Sequence, residues 1–252
     1  MNVVVRRDSL ATESGTHFSK GIGMNQKIGS GISRRSAVRR ILGLAAGVPL
    51  VLSGVNDIAP IHADWLGAHT MRVEEDWYVQ IGTPSPQEDS PQITTVLSPS
   101  WSLNGNFAVF DMNCATQPNF ESGGVQLQLW QDDEIAQSRS NANWTSLCHP
   151  NDEIRYTSVM SIQDGKMIFE IQNGSSTTWG AFGDGELKLQ VPTWRPHLNH
   201  YSRWNSESNS RIGLASHRVR QFVLERVRFY SSDSLLREDN TSHVLHNYDP
   251  VS

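Results

Sequence analysis

Cysteine is nearly absent from this chain: Cys114 and Cys148 are the only two in 252 residues. They lack CxxC spacing, and with only His149 adjacent they supply too few ligands for a structural zinc site. Lysine is scarce beyond the front. Only Lys166 and Lys188 follow residue 63, and residues 64–252 carry a net charge of −10 against +5 for residues 1–63. Phosphate neutralisation needs clustered Lys and Arg, so this body argues against a nucleic-acid surface and against anionic lipid. The apolar run from Ile41 to Val55, interrupted by Gly43, Gly47 and Pro49, falls short of the roughly 20 residues that span a bilayer, so no stable membrane span is expected. Also missing are a G-x-S-x-G elbow, a P-loop, a dinucleotide fingerprint, an H-E-x-x-H helix and any repeat at solenoid or propeller period. An enzyme here would have to assemble its site without a linear signature.

What the front does contain is an address. The basic string SRRSAVRR, residues 33–40, precedes the apolar run, and Ile61-His62-Ala63 ends on a small residue at a plausible cut. That is the layout of a secretory signal over residues 1–63. Arg34 and Arg35 after Ser33 resemble the twin-arginine export motif, with Ala37 and Val38 where the motif usually has Phe and Leu. The resemblance implies handling by the twin-arginine translocase, cleavage near Ala63, and a mature chain 64–252 in the periplasm, on the cell surface or outside. Residues 1–32 are long for the front of a signal, and Met24 is an alternative start that would leave a compact basic lead. In an oxidising compartment Cys114 and Cys148 read as one disulfide, worth about 3 to 4 kcal/mol by loop closure, with free thiols as the alternative.

The body reads as strands. Residues 156–171, YTSVMSIQDGKMIFEI, place Asp164-Gly165 between two period-two runs, and that dipeptide favours a type I′ hairpin turn because both positions need positive φ. Pairing about it sets Ile162 opposite Met167, Met160 opposite Phe169 and Ser158 opposite Ile171, all on one face. Further strands are expected at Trp77–Ile81, Ile93–Leu97, Phe107–Met112, Val125–Trp130, Glu186–Val191 and Gln221–Tyr230. Val125, Leu127 and Leu129 alternate with Gln126 and Gln128, as in an antiparallel sheet packed on a second sheet. Turn signals every 8–12 residues fit an all-β, two-sheet sandwich over about 72–236, followed by a polar tail from Arg237 to Ser252.

The hairpin with its DG turn, the segment Gln172–Gly183 and the closing strand Leu224–Leu236, with Val227-Arg228-Phe229-Tyr230 and Leu235, resemble the concanavalin-like, laminin-G-type jelly rolls. That resemblance implies two stacked antiparallel sheets, often with carbohydrate as ligand. The whole chain is also similar to exported proteins of planctomycete bacteria. Some concanavalin-like folds are β-glucanases with an E-x-D-x-x-E strand. Here Glu74-Glu75-Asp76-Trp77-Tyr78-Val79 has Val79 where the second catalytic Glu would stand.

Candidate ligand-binding residues gather in Pro192–Asn205, where Trp194, Arg195, Tyr201 and Trp204 occur without strand alternation. Aromatic faces with placed polar donors suit a saccharide ring, while packing of Trp194 and Trp204 over the sandwich rim is the structural alternative, as core packing is for Trp179. Asp132 and Asp133, like Asp152 in Asn151-Asp152-Glu153, are candidate oxygen ligands for Ca²⁺, the one cofactor considered, or simply solvated turn acids. His197 and His200 are three apart but need further ligands to hold a metal. These features point to an exported, non-catalytic carbohydrate-binding or structural module whose partner is a glycan or a cell-surface protein. The alternative is a glycan-active hydrolase or lyase with a carboxylate pair assembled across strands, Glu170 and Glu186 being the candidates.

Overall fold

The computed structural model of the 252-residue chain describes residues 68–82, 91–113, 124–141, 149–178, 180–232 and 234–249. Arg34, Arg35, Ala63, Cys114, Cys148 and Trp179, and with them the export signal, the alternative start at Met24 and the expected disulfide, lie outside the described residues.

The described residues form two antiparallel sheets. The larger joins β1 (Arg72–Ile81), β6 (Glu153–Gln163), β7 (Lys166–Ser176), β8 (Gly180–Phe182), β9 (Lys188–Pro192), β11 (Val219–Tyr230), β12 (Leu235–Asp239) and β13 (His243–Asn247). Its path runs β12-β11-β1-β6-β7-β8, with β13 on β11 and β9 on β7. The smaller follows the order β10-β2-β3-β4-β5, built from β2 (Gln92–Leu97), β3 (Phe107–Asn113), β4 (Gly124–Gln131), β5 (Glu134–Asn141) and β10 (Arg211–Leu214). A short helix, α1 (Arg203–Asn209), precedes β10.

The β6–β7 hairpin has the register its sequence dictates, with Ile162 on Met167, Met160 on Phe169 and Ser158 on Ile171. Asp164 and Gly165 both take positive φ, 51° and 70°. These inward side chains meet Val73, Trp77, Val79 and Ile81 of β1 and Phe222, Leu224 and Val227 of β11 on the same inner face, and Ala108, Phe110, Met112, Val125, Leu127 and Leu129 from the smaller sheet. Trp77 stacks on Phe222 at 5.2 Å between ring centroids, and Phe110 meets Tyr156 edge-on at 5.0 Å. The core is therefore the space between two sheet faces, as the period-two pattern requires.

Two expectations are corrected. The stretch after Arg237 is no tail: β12 and β13 both pair with β11, and their polarity reflects an edge position rather than lack of structure. The segment from Pro192 to Asn205 is not irregular throughout. Leu198 is buried in the core, and Arg203, Trp204 and Asn205 open helix α1. Leu198 N–H donates to Thr70 C=O and Thr193 N–H to Gly165 C=O, so the crossing from β9 to β10 is stitched over one end of the sandwich.

Candidate functional site

Along β1 the even-numbered residues Arg72, Glu74, Asp76 and Tyr78 point away from the core while Val73, Glu75, Trp77 and Val79 point into it. Register then assembles outward rows across the larger sheet. One reads Glu238, Arg228, Glu74, Val159, Glu170 and Lys188 from β12 to β9. The row beside it reads Arg226, Asp76, Thr157 and Gln172. On the other side run Tyr230, Arg72, Ser161, Ile168 and Gln190. Arginine and carboxylate alternate across β12, β11 and β1 in the first row and face each other across β11 and β1 in the second.

The contacts follow that alternation. Arg228 Nη2 lies 3.0 Å from Glu74 Oε2 and 2.8 Å from Asp76 Oδ1. Asp76 also accepts from Arg226 Nε at 2.7 Å and from Thr157 Oγ1 at 2.8 Å. Glu74 is further bound by Arg72 and by the Tyr230 hydroxyl at 3.1 Å. Arg72 Nη2 crosses to Gln172 Oε1 at 3.0 Å, and Gln172 Nε2 donates to Glu170 Oε2, also at 3.0 Å. Lys188 approaches the same Glu170 oxygen at 3.5 Å. The result is a solvent-facing lattice of guanidinium, carboxylate and amide planes in which every named carboxylate has a cation.

Trp194 stands at the β9 margin of this face. It continues the outward alternation of Lys188, Gln190 and Pro192, which the Thr193–Gly165 hydrogen bond extends past the strand end. The indole is 87% exposed, and the Arg195 guanidinium lies 5.6 Å from its centroid. Trp204 is 65% exposed on α1. Neither indole packs over the rim, because Leu198 and Tyr201 already fill that end of the core. The structure does not bring Trp194 and Trp204 together. Trp194 borders β7 and β9, whereas Arg203, beside Trp204, bonds Leu224 C=O of β11 and pairs with Asp239 of β12.

Tyr201 turns inward. Its hydroxyl donates to Glu75 Oε1 at 2.6 Å, and its ring meets Phe229 edge-on at 5.6 Å. Glu75 is fully buried and also accepts from the Ser206 hydroxyl and, at 3.1 Å, from Trp77 Nε1. Burial raises its carboxyl from the ordinary 4.5 to about 7, although Ser206, Tyr201, Trp77 and the charge of Arg203 favour the ionised form. This buried acid is the anchor of the crossing segment. Sequence reasoning passed over it because Glu75 sits in a run of three acids that looks uniformly exposed, and only the period-two alternation against Val73 and Trp77 marks it as inward.

The remaining candidates disperse. Asp132 and Asp133 are exposed and occupy the β4–β5 turn with φ of 50° and 65°, so backbone conformation accounts for both. Asp152 is buried and accepts from the Ser176 hydroxyl at 2.7 Å and the Thr177 hydroxyl at 2.9 Å. His197 stacks on His69 at 4.6 Å, with His200 tilted at 5.9 Å. Among the described residues no three His, Cys, Asp or Glu side chains are grouped to hold a metal ion. Glu186 lies in the turn before β9 rather than on a strand face, so it does not share a face with Glu170. Glu74, two strands from Glu170 in the same row, takes that place.

No protein-family model matches the chain, and no curated protein does. A solved structure of SCP-B, a member of the eqolisin family of peptidases in complex with the tripeptide Ala-Ile-His, is similar at a TM-score of 0.27 and 10% identity, covering 73% of this chain and 89% of that one. At that level the likeness carries no activity across.

Proposed function

We propose that the protein is an exported, non-catalytic glycan-binding module of the concanavalin-like jelly-roll type, with the outward face of the larger sheet as its binding face. One observation carries this reading: a row-and-column lattice of hydrogen-bonding side chains covers the outward face of the larger sheet, and the exposed Trp194, with Arg195 beside it, follows the end of β9. A pyranose presents an apolar ring face and a rim of hydroxyls, and such a surface offers one partner for each. The signal-like front with Arg34 and Arg35 supports passage through the twin-arginine translocase and a cell-surface or periplasmic location. The larger-sheet path, in which β1 lies between β6 and β11, fits the jelly-roll reading. A glycan array probed with the full chain tests the function. Retention of at least one glycan, weakened tenfold or more by Trp194→Ala, is expected; retention of none removes the reading.

A hydrolase is the second reading, and Glu74 with Glu170 is the observation that favours it. Two strand spacings, about 9.6 Å, separate their backbones, near the carboxylate separation of about 6.5–9.5 Å in inverting glycosidases. Against it, Glu74 is buried and both of its oxygens are engaged by Arg72, Arg228 and Tyr230. A reducing-sugar assay on any retained glycan, repeated with Glu170→Gln, separates the two readings.

A further inference from the structure

Two indoles stand away from the lattice. Trp101 is 71% exposed in the loop between β2 and β3, and Trp204 is 65% exposed on α1. Asn205 Nδ2 donates to Ser100 C=O at 3.2 Å, a buried contact, and each tryptophan is the immediate neighbour of one of these two residues. One chain step is about 3.8 Å, so the two tryptophans are carried by neighbouring backbone segments.

The patch is held firmly from below. Ser98 Oγ and Ser100 Oγ both donate to Ser102 C=O, at 2.8 and 3.1 Å, which closes the loop on itself. Val96 N–H donates to Ser210 Oγ at 2.9 Å, which ties β2 to the end of α1. Asn205 and Ser206 face the interior, leaving Trp204 and Ser208, one helical turn apart, outward. A surface already ordered spends little entropy on capturing a ligand.

The geometry points to an aromatic platform formed by Trp101 and Trp204 that stacks an uncharged hexopyranose glycan, separate from the charged lattice. The choice of ligand rests on charge. The loop 98–106, SPSWSLNGN, contains no ionisable side chain, and on α1 Glu207 is turned to Arg203 Nε at 2.6 Å. Asn104 and Ser208 are exposed and Ser102 is half-buried on the same two segments. An acidic glycan or an anionic membrane needs cations that this loop does not offer, whereas a neutral sugar ring needs only an aromatic face and uncharged polar neighbours. This inference rests on the glycan-binding reading but places the contact elsewhere, so the two fail separately.

The test is titration of the full chain with cellohexaose, maltohexaose and mannohexaose, followed by calorimetry and tryptophan emission, on wild type, Trp101→Ala, Trp204→Ala, the double variant and Trp194→Ala. Circular dichroism verifies folding, and Trp204→Phe supplies a ring-conserving variant. Expected is binding of at least one of the three, weakened tenfold or more by either alanine, weakened further in the double variant and largely retained by Trp204→Phe. Binding that depends on Trp194 alone overturns the platform while leaving the glycan-binding reading intact. Binding of none of the three overturns it too, as does sedimentation showing a dimer that the double variant dissociates, since the indoles would then serve self-association.

Discussion

Tyr201 donates its hydroxyl to Glu75 Oε1 at 2.6 Å, joining the segment that crosses the end of the sandwich to the middle of β1. The partners are 126 positions apart, so the bond forms only when the sandwich has closed. It also places an ionisable group where water is absent.

The first prediction concerns pH. The folded-state value of Glu75 is raised from 4.5 to about 7, so between these values the folded chain holds a proton that the unfolded chain has released. The stability this group confers is complete below pH 4.5 and is lost as pH rises towards 7, by on the order of 3 kcal/mol. Asp111, buried against Thr94, is raised to about 6 and acts in the same direction at lower pH. Urea unfolding at pH 5, 6, 7 and 8 should show stability falling through this range. Glu75→Gln should flatten the upper part of the curve, between pH 6 and 7. A variant with the wild-type slope there would show that the acid is not responsible.

A second prediction uses two glycines. Gly183 has φ +89°, and a Cβ there would stand 2.5 Å from Ile171 C=O, whereas Gly165 has φ +70° with nothing within 4 Å. Gly165→Ala should cost about 1 kcal/mol, the price of backbone conformation alone. Gly183→Ala should cost clearly more, about 2 to 4 kcal/mol, because backbone must move. Equal losses in thermal denaturation would contradict the close approach.

The third concerns Arg228, which serves both Glu74 and Asp76. Removing it leaves the buried Glu74 with one cation instead of two, so Arg228→Ala should destabilise by about 1 to 3 kcal/mol. Arg228→Ala combined with Glu74→Gln should recover part of that loss, since the uncompensated charge is gone. Strict additivity of the two changes would deny the coupling.

Much of the sandwich is legible in the sequence, and what is not has local reasons. The 156–171 hairpin is readable because its turn dipeptide and its apolar register specify the same pairing. Strand β5, Glu134–Asn141, escapes because it is exposed along both faces through Arg139 and Ser140 and so has no alternation to detect. Strands β12 and β13 escape because edge strands are polar. The candidate site is harder still. Arg228 and Glu74 are neighbours only through the β1–β11 register, and nothing within a few residues of either one predicts that pairing. The exposure of Trp194 depends on Leu198 and Tyr201 having filled the rim first, which is a packing outcome.

Glycan binding at Trp194 is measured most directly by calorimetric titration of an array-selected glycan into the full chain and into Trp194→Ala. At 87% exposure the indole contributes little to folding, so the variant should match the wild type within about 0.5 kcal/mol in stability. Trp194→Ala should bind tenfold or more weakly, with no new reducing ends appearing in either sample. Equal affinity of the two proteins, or steady release of reducing sugar by the wild type, would contradict it.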